Sequence, residues 1–174
     1  MFRRFEAGEA EALADFLAGE PWPFHANATV DRADVLDRVR SGYYDETYWI
    51  EVAGERAGIV RLFDLGDETP MFDLRVGARH RGRGLGRAAV RWLTDKLFTE
   101  LAHVQRIEAT TRQDNLAMRR VFAQCGYVKE AHYRRAWPDG EGRRFDSVGY
   151  AVLRHDWRTG TTTVPDFHDL DQEP

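Results

Sequence analysis

Between residues 79 and 90 the chain reads RHRGRGLGRAAV. The strand-like run PMFDLRVG precedes this stretch, and Leu85, Ala89, Trp92, Leu93, Lys96 and Leu97 follow at helical spacings to about residue 100. A strand that passes into a helix through glycines fixes the local chain path and leaves the first N–H groups of the helix unpaired. Those groups carry partial positive charge, and glycine lets an anion approach the backbone closely. Arg81, Arg83 and Arg87 add charge that a diphosphate can use. The plainer alternative is a glycine turn beside a solvated basic face.

The flanking pattern restricts the fold further. FRRF reads as a short strand, and GEAEALADFLAG as a helix with Leu13, Phe16 and Leu17 on one face. PWPFHANATV lacks a regular period and reads as an irregular cover, after which Asp31 can cap a helix carrying Val35, Leu36 and Val39. TYWIEVA and AGIVRLFDLG form a hairpin about Gly54-Glu55-Arg56, and PMFDLRVG is the fourth strand. Beyond the glycine stretch and its helix, QRIEATT is a strand, Asp114 a cap, and NLAMRRVFAQC a short helix ended by Gly126. YVKEAHYRRAW and RRFDSVGYAVL are two strands about a Pro138-Asp139-Gly140 turn. The order β-α-α-β-β-β-α-β-α-β-β implies an α/β chain whose mixed sheet combines hairpins with one crossover, about seven strands flanked by four helices.

With 174 residues, one domain over 1–157 is expected, followed by a polar, flexible tail over 158–174. The net charge of −4 argues against a nucleic-acid surface and makes the arginine cluster a local feature. Cys125 is the single cysteine, which excludes an internal disulfide and a cysteine-rich zinc site, so no metal is implied. The start of the chain has no signal-like apolar core, and no window reaches the roughly 18 apolar residues of a membrane span. A soluble cytoplasmic protein, with no membrane partner, is expected.

Three phosphate-binding patterns compete for the glycine stretch. A Walker-type loop needs Lys-Ser/Thr after its last glycine, and Arg87-Ala88 stands there instead. Gly84-x-Gly86-x-x-Ala89 does fit a dinucleotide fingerprint, and Glu108 imitates its ribose-binding acid. That fold, however, starts with its βαβ unit, whereas about half of this chain precedes it.

The third pattern covers more of the chain. Arg81-Gly82-Arg83-Gly84-Leu85-Gly86 is similar to the Arg/Gln-x-x-Gly-x-Gly/Ala signature of the GNAT acyl-CoA N-acyltransferases, in the same place between the fourth strand and the third helix. About 30 residues on, Asn115-Leu-Ala-Met-Arg-Arg-Val-Phe-Ala-Gln-Cys-Gly-Tyr127 resembles the family's second signature. The resemblance runs from about residue 2 to 157, and FDSVGYAVLRHDW most resembles the RimJ/RimL group, which acetylates protein amino termini. It implies a GNAT-type fold and transfer of an acetyl group from acetyl-CoA, without metal, to a primary amine of a peptide or small molecule in a ternary complex. The protein would act as a monomer or homodimer. A non-catalytic CoA-binding sensor module is the alternative, and a dinucleotide-binding protein a distant one.

The resemblance also implies roles. Backbone N–H groups of residues 82–87, together with Arg81, Arg83 and Arg87, would hold the CoA pyrophosphate. The fourth and fifth strands would splay so that the pantetheine arm bonds Leu74 and Val76, with Asn115 reaching that arm. The Val76 N–H would be the oxyanion donor. For the base, Asp73 leads because a carboxylate among apolar strand neighbours is costly without a role, although a salt bridge to Arg75 is an equal reading. Glu108 or His25 acting through water stays open. For the acid, Met118 and Phe122 occupy positions where relatives carry Ser and Tyr, and both read as core, which leaves Tyr133 as the candidate beside Tyr127 and Tyr150. Trp22, Phe24, His25, Tyr43 and Trp137 would wall the acceptor site or act as core staples. Cys125 reads as a structural thiol.

Overall fold

Helix α1 (Ala10–Ala18) buries Leu13, Ala14 and Leu17 on one face. Helix α2 (Arg32–Arg40) starts where Asp31 accepts the backbone N–H groups of Ala33 and Asp34. The computed structural model describes residues 1–167. The strands are β1 (Phe2–Arg4), β2 (Thr47–Val52), β3 (Glu55–Phe63), β4 (Met71–Val76), β5 (Arg106–Arg112), β6 (Val128–Pro138) and β7 (Arg144–Leu153). Helix α3 (Leu85–Glu100) links β4 to β5, α4 (Leu116–Gln124) links β5 to β6, and α5 (Arg154–Thr159) follows β7. The mixed α/β fold with seven strands is the expected one.

The structure corrects four local expectations. The β2–β3 turn is Ala53-Gly54, both at positive φ (51° and 82°), so Glu55 and Arg56 already lie in β3; two left-handed residues match the twist of a tight hairpin. Asn115, not Asp114, caps α4 by accepting the Met118 N–H at 3.2 Å, while Asp114 binds the Arg112 guanidinium through both oxygens. Among the described residues the helix count rises from four to five because α5 is too short to show a period. Finally, α5 runs past 157 to Thr159, and Thr161 and Thr163 bond Asp156 beyond it. Residues 168–174 of the expected tail lie outside the described residues.

Strand alternation sorts the core into two layers. Val60, Leu62, Ile107 and Val148 meet Leu93 and Leu97 of α3 and Phe122 of α4 on one face. Trp49 and Ile59 meet Leu13, Leu17, Trp22 and Val35 on the other, beneath α1 and α2. Each fully buried large side chain contributes roughly 1.5–3 kcal/mol of transfer free energy, so both layers are needed to hold the sheet. Arg154 ties the last helix to α3 by donating to the carbonyls of Phe98, Leu101 and Val104. No helix among the described residues is long and apolar enough to cross a membrane.

The sheet order is β1-β2-β3-β4-β5-β7-β6. Neighbours are antiparallel except β4 and β5, which run parallel and register at a single pair, Met71 with Glu108. Beyond that pair the two central strands diverge, whereas β4 stays paired with β3 over Met71–Val76.

Candidate functional site

The divergence leaves one edge of β4 unpaired in mid-sheet. The Gly77 N–H donates to Ala57 O at 2.9 Å, which sets the alternation of the β3–β4 ladder. Odd-numbered residues of β4 therefore exchange bonds with β3, and the N–H groups of Leu74 and Val76 point toward β5, beyond the reach of its register. A cavity of about 540 Å³ lies against β4 at Leu74, Arg75 and Val76. Its walls come from β4, the 79–90 connection, α4 and the α1–α2 connection.

At one end of this cavity stands the N-terminus of α3. Gly82 and Gly84 adopt φ of 74° and 81°, conformations that glycine reaches without a Cβ penalty. The left-handed Gly84 caps the helix without a side chain, and the N–H groups of residues 82–87 have no hydrogen-bond partner among the described residues. Arg81 is the loop's anchor: its Nε donates to Val76 O at 2.9 Å, and Nη2 meets Glu20 at 3.2 Å. Glu20 also accepts the Ala78 N–H. The connection is thus held rigid from behind, and Gly82, Gly84, Leu85, Gly86 and Arg87 line the cavity.

At the other end lies a group joined across sequence. His25 Nε2 and Asp73 Oδ1 are 3.0 Å apart, and Arg75 Nε donates to Asp73 Oδ2 at 3.1 Å. Burial alone raises the Asp73 pKa, but the bonds from His25 and Arg75 outweigh it and hold the carboxyl well below its usual range. With both oxygens engaged, Asp73 is a fixed anion. His25 lines the cavity, and its Nδ1 is buried with no protein partner. Trp22 packs edge-on against the imidazole at 6.2 Å between centroids and is itself pinned by its Nε1 bond to Leu17 O.

The other expected residues divide clearly. Of the ten named for the CoA side, only Arg83 lies outside the cavity wall. Asn115 is in the wall, but its amide is already engaged, Oδ1 by Met118 N–H and Nδ2 by Thr111 Oγ1. Trp22, Phe24 and His25 line the cavity, whereas Tyr43, which is exposed, and Trp137 do not. Glu108 lies away from the cavity in an ion pair with Arg106, which also holds Glu130. Tyr133 is half exposed and outside the wall.

No tyrosine lines the cavity among the described residues. The Tyr127 hydroxyl is buried against Thr94 Oγ1 at 2.9 Å, and burial pushes its pKa well up. Tyr150 OH accepts from Arg119 Nε. Phe122 is core, packed in tilted ring contacts with Tyr127 and Tyr150, while Met118 reaches both core and cavity. Cys125 is partly buried, and burial raises its thiol pKa. Sequence reading missed His80, Arg120 and Gln124 in the wall. Ala117, Arg120, Val121 and Gln124 recur at helical spacing on α4, so that face was visible as a pattern without a known neighbour.

Comparison with known proteins places this geometry. Residues 10–127 match the acetyltransferase (GNAT) family. N-acetyltransferase 8F1 of Rattus norvegicus is 34% identical over 88 residues, 45% of this chain and 39% of that protein, so the match spans about two fifths of the relative's length. A GNAT-family acetyltransferase from Bacillus anthracis superposes with a TM-score of 0.74 at 19% identity, covering 88% of this chain and 94% of that one. Spermidine N-acetyltransferase from Vibrio cholerae, solved in complex with CoA and spermine, gives 0.76 at 17% identity over 91% and 97% of the two chains.

Proposed function

Since the chain belongs to the acetyltransferase (GNAT) family, we propose that it transfers an acetyl group from acetyl-CoA to a primary amine. The observation that carries this reading is the cavity against the unpaired edge of β4, with free backbone donors along one wall and the α3 N-terminus beside it. The fit is chemical as well as spatial. Unpaired N–H groups of residues 82–87, with Arg87 and Arg120 in the wall, suit a diphosphate. The β4 edge at Leu74 and Val76 suits an amide-bearing arm that bonds like a strand.

The chain's own residues then supply three functions. His25 takes a proton from the substrate ammonium at Nδ1, which is enclosed in the unliganded structure and has to be uncovered as the amine binds, and Asp73, bonded to Nε2, orients the ring and stabilises the imidazolium that forms. This assigns proton transfer to His25 and orientation to Asp73. The Val76 N–H stabilises the acyl oxygen as it becomes negative while nitrogen adds to carbon. The C–N bond forms, the C–S bond breaks, and the second amine proton goes to the departing sulfur, which needs no tyrosine in the wall.

The acceptor is a peptide amino terminus or a small-molecule amine. The RimJ/RimL-like ending FDSVGYAVLRHDW favours the first, and the polyamines named for the Vibrio cholerae relative favour the second. Thiol release from acetyl-CoA over a panel of peptides, amino acids and polyamines tests the reading. Melting-temperature shifts with acetyl-CoA and with NAD accompany it, and a shift with acetyl-CoA alone is expected. Absence of any shift with CoA esters sinks the proposal, while tight CoA binding without turnover favours a sensing module.

A further inference from the structure

Seven buried side-chain nitrogen and oxygen atoms among the described residues lack a hydrogen-bond partner, and four belong to Thr47, Arg61, Arg75 and His25. These four residues come together. Thr47, Arg61 and Asp73 are successive register partners across β2, β3 and β4, so their side chains leave the sheet on one face, the side covered by α1 and α2. Arg75 lies two residues further along the same face, and His25 reaches Asp73 from above. Leaving buried donors unpaired is costly, and packing alone gives no reason to collect them in one row.

The charge of this row is one-sided. Arg61 is only 9% exposed, yet no carboxylate lies within ion-pair distance of it among the described residues. Its guanidinium carbon sits 3.9 Å from the Tyr43 ring centroid and 4.4 Å from that of Phe63. Such stacking satisfies the two faces of the guanidinium and leaves its in-plane donors free. Arg75 shares its single carboxylate, Asp73, with His25, and its Nη1 has no acceptor.

Arg75 also lines both the main cavity and an adjoining pocket of about 70 Å³ that holds Arg38 and Tyr44. Asp31 and Asp34 share that smaller pocket, where Asp31 Oδ1 is committed to capping α2. A polycation brought to His25 would meet Arg75 with Arg38 in the pocket behind it. A planar carboxylate would instead find in-plane guanidinium donors.

We infer that the acceptor is an amine carrying a carboxylate a few bonds from its nitrogen, such as a free amino acid, with Arg75 binding the carboxylate beside the Arg61 guanidinium and His25 facing the amine. This rests on the acetyl-transfer reading for the role of His25, but the anion site stands on its own geometry. Matched ligands test it: phenylalanine against phenylalaninamide, leucine against leucinamide, and spermidine as the polycation, each titrated by calorimetry into protein saturated with CoA.

Each acid is expected to bind about tenfold more tightly than its amide, and spermidine more weakly than either acid. Arg75→Gln should bring the acid-to-amide ratio to within about threefold, and Arg75→Lys should restore part of it. Arg61→Met, which keeps an apolar filling between Tyr43 and Phe63, should lower the same ratio. A ratio near one in the unaltered protein, or tighter binding of spermidine, overturns the inference.

Thiol release from acetyl-CoA with the same ligands separates the two claims. Acid-selective binding without turnover of any amine sinks acetyl transfer and supports the anion site. Turnover of amides and spermidine without acid preference supports acetyl transfer and removes the anion site.

Discussion

His25 and Asp73 are 48 positions apart in the chain, yet their 3.0 Å contact sets the chemistry assigned to the cavity wall. A carboxylate with both oxygens bonded is a poor proton acceptor, which leaves His25 as the group beside it with an unpaired ring nitrogen. His25→Gln should therefore lower kcat by about 10²–10⁴-fold while leaving the KM for acetyl-CoA within a few-fold. Steady-state kinetics at saturating amine measures this, and an unchanged kcat would return proton transfer to water or another group. Asp73→Asn should also lower kcat, since it removes the charge that stabilises the imidazolium.

Residue identity alone could not reveal this pair. His25 sits in an irregular segment without a period, and Asp73 reads equally well as a partner of Arg75, which it also is. The glycines at 82 and 84 were legible because a left-handed backbone before a helix is a local requirement.

Two elements show how local rules become a scaffold. The connection into α3 requires Gly84 at φ 81°, so Gly84→Ala should cost about 1–2 kcal/mol of stability and weaken acetyl-CoA binding with it. Thermal unfolding with and without acetyl-CoA reads both effects. Ahead of α1, Glu9 joins three strands to the helix: it accepts from Arg3 of β1, Trp49 of β2 and Arg56 of β3.

The bonds from Arg3 come first among the causes that lower the Glu9 pKa from 4.5 to about 2, against the opposing effect of burial. The stabilisation from that depressed pKa is complete above about pH 4.5 and disappears as pH falls toward 2. Glu9→Gln should cost about 1–2 kcal/mol near neutrality, allowing for solvent around Arg3, with the difference shrinking across that window. Denaturant titrations at pH 7, 4 and 3 would show it. The element map was legible wherever a period or cap was strong, as in α2 with Asp31. Helix α5 was missed because RHDWRT is a single short turn whose stability comes from Arg154 bonding to carbonyls around the end of α3.

At the scale of the whole molecule, the sheet is two antiparallel blocks hinged at Met71 and Glu108 and bridged by one core layer. The bound donor should complete the missing hydrogen bonds between the blocks. Amide exchange at Leu74 and Val76 should slow by about tenfold or more on adding acetyl-CoA, while Ile59, inside the β3–β4 ladder, changes little. Equal slowing everywhere would point to general stabilisation instead. No sequence pattern announced how far the strands part, because divergence is set by the packing of α3 and α4 beneath both blocks.

The gap in the sheet also has a kinetic consequence. The wall is built on one side by the α3 connection and α4, and on the other by the α1–α2 segment carrying Trp22, Phe24 and His25. Two reactants approaching from opposite faces do not need to take turns at a common doorway. Double-reciprocal plots at several fixed acceptor concentrations should therefore intersect rather than run parallel. Free CoA should inhibit competitively against acetyl-CoA and non-competitively against the amine.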